Sequence, residues 1–202
     1  MTYTRVSTRA AVTNPAPVLM TAEELMTNPV PNMRTELVGG RLQVCEPPGY
    51  RHGDVAARVL VAIGTHLANE RRNLGWSKLR GRLLAAETGF TLQRNPDTVR
   101  APDVAYVRAE RVPTEDLPGY AEFAPDLVVE VRSPSDRTGM VLAKVADWLN
   151  AGTMVVWTID PALRVARVYR ADGGESMLGA TESLSGEDVL PGLVIPLSDL
   201  FD

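Results

Sequence analysis

Two apolar, β-rich runs flank a segment of helical period, and this arrangement constrains the fold more than any other feature of the chain. Residues 126–132 (DLVVEVR) read as one strand and 153–160 (TMVVWTID) as another. Between them, a helix of roughly 137–151 carries Val141, Val145, Trp148 and Leu149 on one stripe, with Ser135 or Asp136 as its cap and Gly152 as its stop. A helix of that length can return the chain across a sheet, so the two strands are expected to be joined by a right-handed crossover. The expected class is therefore α/β (α+β), with a mixed central β-sheet flanked by helices.

The rest of the chain adds pieces to that unit. Residues 1–17 are polar, end in Pro15 and Pro17 and read as a flexible N-terminal arm, leaving 18–202 as a single domain. Thr21 to Glu24 form a capping box that opens a short helix. In ELVGGRLQV, Gly39 and Gly40 separate two strand-like halves, which predicts an N-terminal hairpin. Asp54 is a candidate cap for a helix running to about Arg71, with Val55, Val59, Ala62, Ile63, His66 and Leu67 at helical spacing and Gly75 ending the unit. His66 lies in the centre of that stripe and reads as a core histidine. Residues 76–92 read as strand with a break near Gly81 or Glu87, 103–107 as strand, 108–124 as a charged loop and 164–170 as a further strand. Residues 171–174 read as a turn, and the tail from Gly186 as a short packed cap.

Composition limits the chemistry. The 202 residues are 45% hydrophobic and 23% charged with a formal net charge of −4, so any nucleic-acid contact needs a local basic surface on an acidic whole. The densest basic cluster is Arg71, Arg72, Lys78, Arg80 and Arg82, which suits a phosphate backbone or a merely solvated face. Cys45 is the one cysteine, so no disulfide forms within the chain; that fits a reducing, cytoplasmic setting, and a cysteine inside a strand reads as buried and inert. With one cysteine and two histidines a zinc cage is not expected, and a metal would be held by carboxylates, as Mg²⁺, Mn²⁺ or Ca²⁺ are. No apolar run reaches membrane-spanning length, so no membrane partner is expected.

Against that background Glu130 is anomalous. It stands inside the apolar run Leu127 to Val131, where an unpaired charge costs several kcal/mol or more. Asp103, after Ala-Pro, starts the preceding strand. If the two strands are neighbours, their carboxylates converge at one sheet end, repel, and are reconciled by a divalent cation. Lys144, on the following helix, flanks the apolar stripe and can return its ammonium over the same end, where it would orient a water or offset phosphoryl charge. Plainer structural readings compete: Glu130 paired with Arg132 on an exposed face, Asp103 as a turn residue, and Lys144 snorkelling to Asp147.

The phrases VRAPDVAYVRAER, APDLVVEVRSPSD and KVADWLNAGTMVVWTIDP, followed by RVARVYRADG and DVLPGLVIP, resemble the Uma-type family of restriction endonucleases, within the PD-(D/E)XK nuclease superfamily. ELVGGRL and AETGF fit the same pattern, and the likeness spans about Thr21 to Phe201. The resemblance implies a restriction-endonuclease-like core and Mg²⁺-dependent cleavage of phosphodiester bonds, with DNA as the default substrate and Mn²⁺ as an alternative metal. It implies Asp103 and Glu130 as metal-holding catalytic residues. The superfamily's lysine slot holds Arg132 instead, and the resemblance implies that Lys144 supplies the cation from the next helix.

Secondary candidates are Glu87 and Glu36, each a further carboxylate or a solvated hairpin residue, and His52, which suits a phosphate or water contact or a bond at a helix start. A homodimer is expected for cutting both strands. The rivals to an endonuclease are a nuclease-fold protein that binds nucleic acid or a protein partner without cleaving, and a homo-oligomeric regulatory protein.

Overall fold

The computed structural model describes residues 18–74, 81–85 and 88–202; the expected arm over 1–17, Lys78, Arg80, Glu87, and the expected stop at Gly75 lie outside them. The described chain runs α1 (Ala22–Thr27), β1 (Arg34–Val38), β2 (Arg41–Cys45), α2 (Tyr50–Leu74), β3 (Arg82–Ala85), β4 (Phe90–Gln93), β5 (Thr98–Arg100) and β6 (Val104–Val107). It continues through β7 (Leu127–Val131), α3 (Thr138–Asn150), β8 (Val155–Asp160), β9 (Val165–Arg170), β10 (Glu175–Leu178), β11 (Ser183–Ser185), β12 (Val194–Pro196) and α4 (Leu197–Phe201).

The central sheet has six strands in the order β10-β9-β8-β7-β6-β3. Strands β7 and β8 pair in parallel, Leu127 opposite Val155 and Glu130 opposite Thr158, with α3 as the crossover. The other pairs are antiparallel, so the sheet is mixed. Its two faces alternate along β7. Leu127, Val129 and Val131 pack with Val55, Val59 and Ile63 of α2 and with the C-terminal cap, while Val128 packs with Val145 and Trp148 of α3. Glu130 shares the parity of Val128 and so faces α3.

A four-stranded sheet, β2-β1-β5-β4, stands beside it. The expected hairpin forms with Val38 opposite Arg41, and Gly39 and Gly40 both adopt positive φ (55° and 73°), as a two-residue hairpin turn requires. Leu37 is fully buried against Leu25 and Val99, which turns its neighbour Glu36 to the other face. The capping box is present, with Thr21 accepting from the Glu24 amide and donating its own amide to the Glu24 carboxylate. The tail folds as expected: β11, β12 and α4 bury Leu184, Ile195, Leu197 and Leu200 against the core.

Several expectations on local structure are corrected. The second helix starts at Tyr50, immediately after Pro47-Pro48-Gly49, so Asp54 is not its cap but pairs with Arg58 one turn on at 3.1 Å. The break expected near Gly81 or Glu87 falls between Ala85 and Phe90, and it separates two sheets: β3 lies in the central one and β4 in the other. Neither Ser135 nor Asp136 caps α3. The cap position is Arg137, and Asp136 instead accepts from the Ser133 amide at 2.7 Å, closing the preceding loop. His66 is half-buried and lies 3.9 Å from Glu70, so it is a flank residue rather than a core one. Cys45 is half-buried as well. Among the described residues no helix is long and apolar enough to cross a membrane.

Candidate active site

Extending the antiparallel register of β6 and β7 (Val104 opposite Val129) by one position sets Asp103 across from Glu130, at the end of the sheet. A cleft of about 580 Å³ opens there, bounded by β2 and the linker after it, the first turn of α2, the end of β7 with the 132–136 loop, and α3. Asp103, Glu130, Lys144, Arg132, Glu36 and His52 all line it.

Helix α3 delivers its residues by simple spacing. Val145 and Trp148 are buried against the sheet, and Lys144, one turn from Trp148, points along the same flank. Both reach Glu130: the Lys144 ammonium donates to Oε2 at 2.8 Å and the Trp148 indole N–H to Oε1 at 2.9 Å. Trp148 is fully buried and edge-on to Phe90 at 6.0 Å, which fixes its donor. The ammonium also lies 3.0 Å from Glu36 Oε1. Glu36 is itself only 2% exposed; it accepts from Arg100 Nη1 at 2.8 Å and from the Ala101 amide at 3.1 Å. Arg100 donates in turn to Asp147 of α3 at 2.6 and 2.9 Å. The result is a run of alternating charge: Asp147, Arg100, Glu36, Lys144, Glu130.

Asp103 is held separately. Its Oδ2 accepts from the Val131 amide at 2.7 Å, and its Oδ1 contacts His52 Nε2 at 3.0 Å and Arg34 Nη2 at 3.5 Å. The other nitrogen of His52 lies 3.4 Å from the Ser133 hydroxyl. His52 is inside the first turn of α2, because the helix begins earlier than the sequence suggests.

These contacts set the proton affinities. Burial pushes the Glu130 carboxyl up to about 7 despite the pull of Lys144, with Asp103 and Glu36 adding to the push. Burial also works against ionising Asp103 and Glu36. His52 and the Val131 amide nonetheless hold Asp103 below the ordinary range, and Lys144 and Arg100 hold Glu36 below it. Burial disfavours the Lys144 ammonium, but Glu130 and Glu36 outweigh it and raise its pKa.

Two of the plainer readings of the sequence are not what the fold adopts. Arg132 does not pair with Glu130: its guanidinium donates to Asp160 at 2.9 Å and to the Asp136 carbonyl at 3.2 Å, and its buried Nε has no partner among the described residues. Lys144 does not pair with Asp147, which is taken by Arg100. Of the basic cluster, Arg71 and Arg72 are exposed at the end of α2 and Arg82 on β3, and none of them lines the cleft. Arg100 and Arg34 escaped the sequence reading. The signal for Arg100 was the one that exposed Glu130, a charge in a short buried strand (TVR).

No group of three or more His, Cys, Asp or Glu among the described residues is arranged to enclose a metal. The donor set still suits a hard dication such as Mg²⁺, which uses one or two carboxylates and keeps most of its ligands as water. Asp103 and Glu130 supply oxygen only, from neighbouring strands beside an open cleft.

The fold and the cleft define a protein of the nuclease-like α+β class. A solved structure described as a "putative nuclease belonging to DUF820", from Anabaena variabilis ATCC 29413, superposes with a TM-score of 0.75 at 21% identity, covering 90% of this chain and 97% of the other. A family model, Uma2, described as "Putative restriction endonuclease", matches residues 22–198, and the chain belongs to that family. A search of curated proteins finds no match.

Proposed function

We propose that this chain is a divalent-metal-dependent endonuclease that hydrolyses phosphodiester bonds in DNA, with Asp103 and Glu130 holding Mg²⁺ or Mn²⁺. The observation that carries the reading is the placement of Lys144 against Glu130, beside Asp103, at the floor of a cleft. A half-buried lysine bonded to two carboxylates has no evident value for stability alone, since desolvation offsets much of the pair's Coulombic gain. It has value where a negatively charged phosphate must be approached by a nucleophile.

The bound cation would supply charge for the phosphate and an acidified water. The chain's own residues do the rest. Asp103 and Glu130 are oriented before any ligand arrives, Asp103 by the Val131 amide and His52, Glu130 by Trp148. The Lys144 ammonium lines the cleft, where it can offset charge developing on a phosphate and orient the attacking water. Arg132 lines the cleft and adds a guanidinium's positive charge to its wall while it stays bonded to Asp160. The homodimer expected for double-strand cutting belongs to the same reading.

One observation favours a second reading, a nuclease-fold protein that binds without cutting: Lys144, His52 and Arg34 already satisfy both carboxylates. Nicking of supercoiled plasmid separates the two. An endonuclease nicks in Mg²⁺ or Mn²⁺, stops in EDTA and loses the activity in Asp103→Ala. A binder shifts the plasmid's mobility and leaves it supercoiled.

A further inference from the structure

Lys144 is shared between two carboxylates that differ in how firmly they are held. Glu130 Oε2, at 2.8 Å, belongs to a side chain that lines the cleft and whose other oxygen is bonded to Trp148. Glu36 Oε1, at 3.0 Å, belongs to a side chain pinned by the Ala101 amide and by Arg100, which Asp147 braces from the same helix that carries Lys144. Any cation that takes Glu130 must displace the ammonium or accept its repulsion. Glu36 remains as a fixed anion for Lys144 when that happens.

We propose that Glu36 is a positioning residue that acts through Lys144. While Glu130 is without metal, Lys144 is its internal counter-ion. When a divalent cation takes Glu130, Glu36 keeps the ammonium at the cleft rather than releasing it to solvent. Lys144 thus competes with the metal for Glu130, and Glu36 makes that competition mild. The proposal rests on the metal-dependent reading above, so its test reads metal affinity without cleavage.

The experiment titrates Mn²⁺ into the full chain without DNA, following the free ion by electron paramagnetic resonance. Four proteins are compared: wild type, Lys144→Met, Glu36→Gln and the double variant, each checked for folding by thermal melt. Lys144→Met should bind Mn²⁺ at least about tenfold more tightly, because a unit positive charge beside a dication is gone. Glu36→Gln should bind more weakly than wild type. That loss should be at least about fivefold smaller in the Lys144→Met background, where only the missing negative charge remains to act. Equal losses in both backgrounds would overturn the proposal and make Glu36 a direct contributor to the metal's field. So would unchanged affinity in Lys144→Met. Absence of Mn²⁺ binding in all four proteins would overturn the metal reading and this proposal with it. Should Glu36→Gln fail to fold, Glu36→Asp keeps the charge on Arg100 but shortens the reach to Lys144. It should reproduce the background-dependent loss, and a value equal to wild type in both backgrounds would overturn the proposal.

Discussion

Strand β7 has a buried carboxylate beside each of its ends, and the two are satisfied in opposite ways. Asp126, just before the strand, is wholly buried and accepts from the Arg108 amide at 2.8 Å, the Arg108 side chain at 3.0 Å and Arg111 at 2.8 Å. All of these donors come from one adjacent loop, and two are guanidinium groups of fixed shape. Glu130, at the far end, meets a single flexible ammonium that it shares with Glu36, and it lies near a further carboxylate, Asp103. Around Asp126 two guanidinium groups converge, one of them also 3.3 Å from the exposed Glu110, whereas Glu130 shares one ammonium within a cluster of carboxylates. A carboxylate surrounded by rigid donors locks a loop to a sheet. A carboxylate crowded by others, partnered by one mobile cation and open to a cleft, is arranged to exchange that cation. The comparison separates structure from function on five residues of chain.

The largest effect that can break this comparison is on rate. Lys144→Ala should slow single-turnover nicking by about 10²–10³, the range for removing a positioned donor that stabilises developing charge. Lys144→Arg should recover only part of that, because a planar guanidinium cannot place its charge where the compact ammonium meets both Glu130 and Glu36. Wild-type rates in Lys144→Ala would reduce the lysine to a packing residue. At the other end of β7 the loss should be in stability: Asp126→Ala removes a fully buried acceptor from two partly exposed arginines and the Arg108 amide, and should cost about 1–3 kcal/mol in a denaturant melt. The nicking rate per folded molecule should be unchanged there.

Next comes pH. The Glu130 carboxyl is raised in the fold from its ordinary 4.5 to about 7. A raised carboxyl binds its proton more tightly in the folded state, so its contribution is fully present below about 4.5 and is lost as pH rises through about 7. Glu130→Gln removes that titration while keeping an oxygen for the Trp148 N–H. The melting midpoint of Glu130→Gln relative to wild type should therefore climb between pH 4.5 and pH 8. The shifts at Asp103 and Glu36, which are in the opposite direction, largely cancel in the difference. A flat or falling difference would show that the Lys144 pair outweighs burial. Arg132→Lys should have the smallest effect. It keeps the positive charge opposite Asp160 and loses mainly the bond to the Asp136 carbonyl, about 1 kcal/mol, which limits the rate change to less than about tenfold.

The strand–helix–strand unit and the hairpin were legible because they depend on local signals: hydrophobic period, paired glycines and a helix-length insert. The meeting of Glu130 with Lys144 was legible for a related reason, since both lie in that unit, and Asp103 joins them because it stands just before the strand that pairs with β7. What the sequence hides is partnership at a distance. Arg100 and Glu36 are 64 positions apart, and nothing local predicts that a hairpin residue will meet a buried arginine from another strand. The same limit explains Arg132, whose nearest acid in sequence, Glu130, points to the other partner set, while Asp160 arrives only through the parallel pairing of β7 with β8. Over 76–92 the break between two strands was legible, but not that they join different sheets, because periodicity marks strands without saying which sheet each one joins. Gly81 hints at the answer: a side chain there would collide with the Val107 carbonyl and the Tyr106 ring, so the chain must pass close to β6 at that point.

The central claim is that the Glu130 end of β7 is a metal-dependent hydrolytic centre, and nicking of supercoiled DNA under single-turnover conditions tests it most directly. Wild type, Glu130→Gln and Asp126→Asn are compared at equal folded concentration with Mg²⁺ and with EDTA. The account predicts metal-dependent nicking by wild type and by Asp126→Asn, none in EDTA, and none by the folded Glu130→Gln variant. Nicking by Glu130→Gln at the wild-type rate, or nicking that persists in EDTA, would contradict it.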